Sequence, residues 1–218
     1  MKKALSLLSA LCLILSLFSC GTPKINEEEF LTRAGDVLRR AETINRIFLT
    51  KEGIPVKKDG FSSGKYKAVD TAALSAMGFS DFDGIQKEST EIFSTEAYTM
   101  MMRYVSRQND IQNSYTRYIE WTDKEDPSVT YFMAYTDVKD SNVLSDDVSF
   151  DLSTLKIVKT GKNRKGEVTV TVTVDEKVIK TKDGEKEEKN FPASSFTFVL
   201  ENGVYKLDDL VARLYDAE

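Results

Sequence analysis

The chain has 218 residues and a formal net charge of −5, with 35 Asp and Glu against 30 Lys and Arg. Nucleic-acid binding needs clustered Lys and Arg against phosphates, so a net acidic chain is a poor candidate for it. Histidine is absent from the sequence. This absence excludes histidine general bases, Ser-His and Cys-His nucleophile pairs, and histidine-ligated metals.

The first 21 residues have the three parts of a bacterial secretory signal. Lys2 and Lys3 form the positive part, residues 4–18 form an almost wholly apolar run, and Cys20 follows the small residue Ser19. The apolar run is shorter than the roughly 20 residues that cross a bilayer. The segment is therefore typical of a signal peptide, and we expect residues 1–19 to be removed.

The residues at the end of this segment resemble the lipobox of bacterial lipoproteins. Leu17, Ser19, Cys20 and Gly21 match that pattern, whereas Phe18 stands where the family usually has a small or aliphatic residue. The resemblance implies cleavage before Cys20 and acylation of the new N-terminus. Two or more acyl chains give stable membrane anchoring.

We therefore expect membrane lipid as a partner through Cys20, and a lipid-anchored protein on the extracytoplasmic face of the cell envelope. Residues 20–26 would be the lipidated cysteine and a short spacer. The second cysteine, Cys12, would leave with the signal. No thiol would then remain for a disulfide, a zinc–thiolate site or a nucleophile. We expect no metal and no cofactor.

Helical periodicity dominates the next stretch. Apolar residues at steps of three and four predict a helix over 26–50, with Asn26 as its N-cap. A short strand is expected at 65–70 and a helical turn at 71–77. Two further helices are predicted within 81–108, the first capped by Asp81 or Asp83 and the second beginning after the N-cap Ser94.

From Tyr115 the period of the pattern changes to two. The predicted strands cover residues 115–121, 129–138, 152–160, 167–180, 193–201 and 204–207. A loop is expected at 140–151. The pairs Asp183-Gly184 and Asn202-Gly203 predict hairpin turns. Asp208 and Asp209 are expected to cap a closing helical turn at 210–215.

Helices followed by consecutive antiparallel strands predict an α+β fold. We expect one domain over residues 27–218, with the N-terminal helices packed on one face of a curved antiparallel sheet. The valine-rich strand at 167–180, the Asp-Gly hairpin, the strand at 195–200 and the ending at 201–209 (ENGVYKLDD) resemble an NTF2-like domain. That resemblance implies a cone of sheet and helices around an apolar cavity.

In such a cavity, aromatic residues of the central strands would form the wall that contacts a ligand. The candidate ligand-binding residues are Tyr115, Tyr118, Trp121, Tyr131 and Tyr135. The alternative interpretation is that these rings fill the core, since aromatic side chains dominate cores generally.

A second resemblance, to secreted inhibitors of cell-wall DL-endopeptidases, is carried by Gly64-Lys65-Tyr66 and Phe93-Ser94. It implies inhibition of a cell-wall hydrolase. A carboxylate-dependent enzyme is a third hypothesis, because Asp146-Asp147 and Asp208-Asp209 are adjacent acids. Adjacent residues of a strand point to opposite sides, which weakens these pairs as catalytic dyads. We therefore expect a non-catalytic binding module for a small apolar ligand or an envelope protein.

Overall fold

In a computed structural model of the chain, the described residues are 24–106, 108–110, 113–138, 143–182 and 185–214. The signal segment, Cys20 and the spacer up to residue 23 lie outside them. The helices in this part of the chain are α1 Glu27–Leu49, α2 Thr71–Ala76, α3 Phe82–Ile92 and α4 Thr95–Ser106. None of these helices is long and apolar enough to cross a membrane.

The described strands divide into two four-stranded antiparallel sheets and a short hairpin. The strands are β1 Ser62–Ser63, β2 Tyr66–Ala68, β3 Gln108–Asp110, β4 Asn113–Tyr115, β5 Tyr118–Thr122, β6 Thr130–Tyr135, β7 Asp147–Lys162, β8 Val168–Lys182, β9 Glu185–Glu201 and β10 Val204–Leu207. The small sheet has the order β1-β2-β6-β5, and the large sheet has the order β10-β9-β8-β7. The expected α+β class is confirmed, whereas an NTF2-like cone and a single domain stay predictions.

Helix α1 begins and packs as the sequence predicts. The Asn26 side chain accepts a hydrogen bond from the Glu29 N–H, and three glutamates occupy the first turn, where the helix dipole favours negative charge. The apolar face packs against β7 and β10 of the large sheet. Phe30 meets Phe198 and Tyr205 edge to face, with ring centroids 5.5 and 4.8 Å apart.

Helices α3 and α4 are held by caps that the sequence also signals. Asp81 accepts from the Gly84 N–H at 2.8 Å, and the Ser94 hydroxyl accepts from the Ala97 N–H at 3.0 Å. The Ser94 N–H in turn donates to the carbonyl of Leu207 at 2.8 Å. The start of α4 is therefore fastened to the last strand of the large sheet.

The centre of the large sheet follows the predicted alternation. Val170, Val172, Val174 and Val178 of β8 are all buried. The turn between β9 and β10 has positive φ at both central residues, 51° at Asn202 and 81° at Gly203. Two successive residues at positive φ are what a type I′ hairpin turn requires, and Asn-Gly is its preferred sequence.

Several predicted boundaries were wrong. The strand expected at 193–201 already begins at Glu185, and the strand expected at 115–121 is β5, which begins at Tyr118. Residues 147–151 were expected in a loop but belong to β7, where Val148 and Phe150 face the core and the flanking Asp147 and Asp151 hide the pattern. The closing helical turn is also absent from 208–214. Asp208 accepts from the Ser94 hydroxyl and Asp209 from the Thr197 N–H, so neither carboxylate is available as an N-cap.

Burial gives Asp208 a testable effect on the pH dependence of stability. Its pKa is raised chiefly by burial, against a hydrogen bond from Ser94. A carboxyl with a raised folded-state pKa stabilises the fold below its unfolded pKa of about 4, and this contribution is lost as pH rises through the folded pKa. We expect Asp208→Asn to flatten the fall in stability above about pH 4, as measured by urea unfolding.

Asp126→Asn is the control for this prediction. Asp126 has its pKa lowered by the Ser128 hydroxyl and N–H, so its contribution is lost as pH falls through the folded pKa. The two variants should therefore change the pH dependence of the unfolding free energy in opposite directions. A profile for Asp208→Asn that matches the unmodified protein would contradict the assigned role of burial.

Candidate functional site

The small sheet carries aromatic side chains on the face that points away from the core. Tyr118 of β5 and Phe132 of β6 face inward and contact the rings of Phe48 and Phe82. Successive residues of a strand alternate between faces. The aromatic residues that point outward from β5 and β6 are Trp121, Tyr131 and Tyr135. Beside them lie Tyr66 of β2 and Phe61, which directly precedes β1. We call this set the outer aromatic face.

The rings of the outer aromatic face are arranged in contact with one another. Phe61 stacks on Tyr131 with centroids 4.5 Å apart and planes 10° from parallel. Tyr66 and Tyr135 meet at 5.2 Å and 70°, and the Tyr66 hydroxyl donates to the carbonyl of Thr116 at 2.7 Å. Trp121 is the direct cross-strand partner of Tyr131. The aromatic face therefore extends over β2, β6 and β5.

A buried methionine lies beneath these rings. Met133 occupies the outward side of β6 between Tyr131 and Tyr135, yet it is fully buried and packs apart from the main core. An antiparallel sheet that faces water on one side normally presents polar residues there. The small sheet is thus apolar on both faces, and contiguous apolar surface outside a core marks an interaction site more often than a scattered side chain does.

Charged side chains border the aromatic face on one side. Lys65 Nζ lies 2.6 Å from a carboxylate oxygen of Asp137 and 5.9 Å from the ring centroid of Tyr135. The hydrogen bond that the Lys65 ammonium donates to Asp137 raises the pKa of Lys65, so the ammonium group stays charged at neutral pH. An aromatic centre with a charged edge is the usual composition of a protein–protein contact surface.

The structure separates the five predicted ligand-binding residues. Trp121, Tyr131 and Tyr135 lie together on the outer aromatic face. Tyr118 lies on the opposite face, 3% exposed, with its hydroxyl donating to the Ile47 carbonyl at 2.7 Å and accepting from the Ile54 N–H at 2.9 Å. Tyr115 belongs to β4, and its side chain lies outside the described part of the structure.

Sequence reasoning missed Phe61 and Tyr66 as members of this face. Phe61 stands in a Gly- and Ser-rich stretch that the pattern marks as a loop, and Tyr66 alternates with lysines in a very short strand. A large aromatic residue inside a Gly/Ser-rich loop is the signal that could have found Phe61. Tyr66 could be assigned only through its register with Tyr135.

The adjacent acids have structural partners. Asp147 pairs with Arg46 at 3.0 Å, and Asp208 and Asp209 accept the hydrogen bonds described above. Among the described residues, no three Cys, Asp or Glu side chains are placed to hold a metal ion. Two open clefts, one beside the start of α1 and one on the large sheet, are lined by residues other than the predicted aromatic ones.

A scan against models of protein families matches none of them to this chain, and a search of curated proteins finds no significant match.

Proposed function

We propose that this chain is a lipid-anchored, extracytoplasmic binding module without catalytic activity, and that its partner is an envelope protein. The single observation that supports the proposal is the outer aromatic face, where five aromatic side chains occupy the side of the small sheet that faces away from the core. Tyr and Trp are enriched among the residues that carry most of the binding energy in protein interfaces.

The shape of this surface favours a protein partner over a small apolar ligand. Small molecules bind in concave pockets that cover most of their surface. The outer aromatic face is instead a layer of rings over one side of a sheet, with Phe61 36% exposed and the other four rings half-buried. Phe61 is stacked on Tyr131, and an ion pair, Lys65–Asp137, lies at the border. A broad aromatic surface with a charged border suits a partner that is itself a folded protein.

The anchor proposed at Cys20 would keep this surface close to the membrane. Residues 21–26 are the only spacer before α1, and six extended residues span about 20 Å at most. A partner would therefore be reached within about one domain diameter of the lipid. The NTF2-like relationship also belongs to this proposal. The helices-first order and the closing Asn202-Gly203 hairpin support it.

Site-specific crosslinking of the full chain in its native membrane tests the surface. We expect a photoreactive phenylalanine analogue at Trp121 or Tyr131 to capture one envelope protein. The same analogue at Thr122 or Thr130 should capture none. These threonines are exposed, adjacent in sequence to the tested positions, and paired with each other on the opposite face of the same strands.

The identity of a captured protein separates the two protein-binding hypotheses. A cell-wall hydrolase would support the inhibitor implied by the weaker resemblance, and a different envelope protein would support a scaffold or adaptor. Equal capture from both faces of the strands, or no capture from the outer aromatic face, would overturn the proposed surface.

Lipidation is tested separately through the two cysteines. We expect Cys20→Ser to abolish incorporation of labelled palmitate and to leave the signal segment uncleaved, because only the Cys20 thiol can form the thioether that the lipobox resemblance implies. Cys12→Ser is the matched control and should leave both labelling and cleavage unchanged. Label retained by Cys20→Ser, or lost by Cys12→Ser, would contradict the assignment.

A further inference from the structure

One stretch of this acidic chain carries a concentrated positive charge. Residues 156–165 (KIVKTGKNRK) contain five Lys and Arg and no Asp or Glu, whereas the whole chain has a net charge of −5. The structure places them in the second half of β7 and in the turn that leads to β8, and we call them the basic segment. Because β7 is the last strand in the order of the large sheet, these cations lie along one edge of that sheet.

Most cations of the basic segment have no carboxylate partner. Four of them are exposed and form no ion pair with a described residue, namely Lys156, Lys159, Lys162 and Arg164. The fifth, Lys165, lies 3.4 Å from Glu96, but the two side chains are 67% and 69% exposed, so the pair is weak. Lysines on an edge strand discourage pairing with another chain. This role does not explain Arg164 and Lys165, which lie in the turn.

An exposed apolar side chain lies among these charges. Val158 has no partner residue on β8, because the register shifts between Ile157 and Lys159, and it is 51% exposed. Ile157 packs against the core instead. Apolar side chains flanked by Lys and Arg are typical of surfaces that lie in the interface of an anionic membrane.

The basic segment lies at the end of the fold from which the proposed anchor leaves. At the start of α1, Phe30 packs on Phe198, which pairs with Val170 of β8. Lys162 pairs with Val168, two residues away on the same strand. Only β8 lies between β9 and β7, so these two strands are about 10 Å apart. A spacer of about 20 Å therefore allows the basic segment to reach the lipid surface.

Acidic side chains at this end lie toward the other edge of the sheet. Glu201, at the end of β9, accepts from the Thr95 N–H at 3.1 Å and so faces the start of α4. Helix α4 begins beside β10, at the edge opposite β7. The three glutamates in the first turn of α1 lie at the positive end of that helix, which partly offsets their charge. The β7 edge is therefore the positive edge of this end of the fold.

We propose that the basic segment rests on the anionic phospholipid headgroups of the membrane that holds the Cys20 anchor. Its cations would lie at the level of the lipid phosphates, with Val158 just beneath them. Each Lys or Arg near an anionic lipid surface raises the affinity for it about fivefold. The contact would fix how the domain, and with it the outer aromatic face, is oriented on the membrane. The inference rests on the lipid anchor of the proposed function.

A fluorescent label on one introduced cysteine tests this contact in the full lipidated chain in nanodiscs. The mature chain would carry no other free thiol. We expect a label at Val158→Cys to be quenched by a headgroup-attached quencher in phosphatidylcholine nanodiscs with about 30% phosphatidylglycerol, and about threefold less in pure phosphatidylcholine. The same label at Lys186→Cys, exposed at the far end of β9, should be quenched in neither.

Reversal of charge shows whether the cations cause the contact. Lys162→Glu combined with Arg164→Glu should lower the quenching at Val158→Cys on anionic nanodiscs to the level on neutral ones, because attraction becomes repulsion. Lys57→Glu combined with Lys58→Glu is the matched control, since these lysines are exposed in the loop before β1. It should leave the quenching unchanged. Equal quenching on both kinds of nanodisc, or equal effects of the two double variants, would overturn the proposal.

The same experiment separates failure of the contact from failure of the anchor. A chain that does not stay in the nanodiscs would refute the anchor and the contact together. A chain that stays in them without quenching at Val158→Cys would refute the contact alone. Binding of soluble polyglycerol phosphate by such an unquenched chain would assign the basic segment to an anionic wall polymer instead of lipid.

Discussion

The Arg213→Ala variant is expected to lose about 3 kcal/mol of unfolding free energy. Its guanidinium is the counter-charge of Glu176, whose side chain is 1% exposed and whose Oε2 lies 2.7 Å from Arg213 Nε. Removing one partner of a buried pair leaves an uncompensated charge, which typically costs 3–5 kcal/mol. The low end applies here because the Arg213 side chain is itself 37% exposed.

Urea unfolding of a double variant shows whether the loss of stability comes from the unpaired charge of Glu176 or from lost packing of the Arg213 side chain. Glu176→Val combined with Arg213→Ala should recover most of the loss, because valine continues the buried row of β8 and no charge is left behind. A double variant as unstable as Arg213→Ala alone would contradict this account. The instability would then come from the other side-chain contacts of Arg213, with the ring of Phe191 at 4.7 Å and the hydroxyl of Ser194 at 3.4 Å.

The Tyr118→Phe variant is expected to lose about 2–3 kcal/mol of unfolding free energy. Its hydroxyl donates to the Ile47 carbonyl and accepts from the Ile54 N–H, and so joins the end of α1 to the loop that follows it. Phenylalanine keeps the ring contacts with Phe48 and Phe82 but leaves two buried backbone groups without partners. Each unsatisfied buried group costs about 1–3 kcal/mol.

Tyr131→Phe is the matched variant on the opposite face of the small sheet. Its ring stacks on Phe61, and this contact survives the loss of the hydroxyl. We expect a change within about 0.5 kcal/mol, as for most surface substitutions. Thermal and urea unfolding of both variants would check the difference. Equal losses would contradict the assignment of Tyr118 to the core and Tyr131 to the outer aromatic face.

The elements that the sequence predicts best are those whose signals are local. Asn26, Asp81 and Ser94 each cap a helix through a backbone N–H three residues later, so the cap and its target lie in the same short stretch. The Asn202-Gly203 turn needs only its own two residues to adopt positive φ. Such features can be read without knowing where the rest of the chain lies.

Features that depend on distant partners could not be predicted. Asp208 and Asp209 are good helix caps in isolation, but Ser94 and Thr197 use their carboxylates as acceptors instead. Glu176 breaks an apolar row, and its compensating charge comes from Arg213, 37 residues further along the chain. Sequence periodicity carries no information about either pairing.

The candidate site was predictable only in part for the same reason. Alternation separates Tyr118 from Trp121 on β5, and Tyr131 and Tyr135 share a face of β6. Which of the two faces meets the helices is decided by Phe132 and its contact with Phe82, a tertiary contact. The division of the strands between two sheets is likewise set by long-range pairing, such as β2 with β6.

The contact of Phe30 with Phe198 and Tyr205 determines when folding can finish. A chain that emerges in order from a ribosome or a translocation channel presents α1 first and the β9–β10 hairpin last. The apolar face of α1 has no complete partner until that hairpin is out. Contacts between distant parts of a chain form slowly, and apolar surface exposed meanwhile is prone to aggregation. The fold therefore closes only once that hairpin has emerged, and α1 is the segment that most needs protection until then.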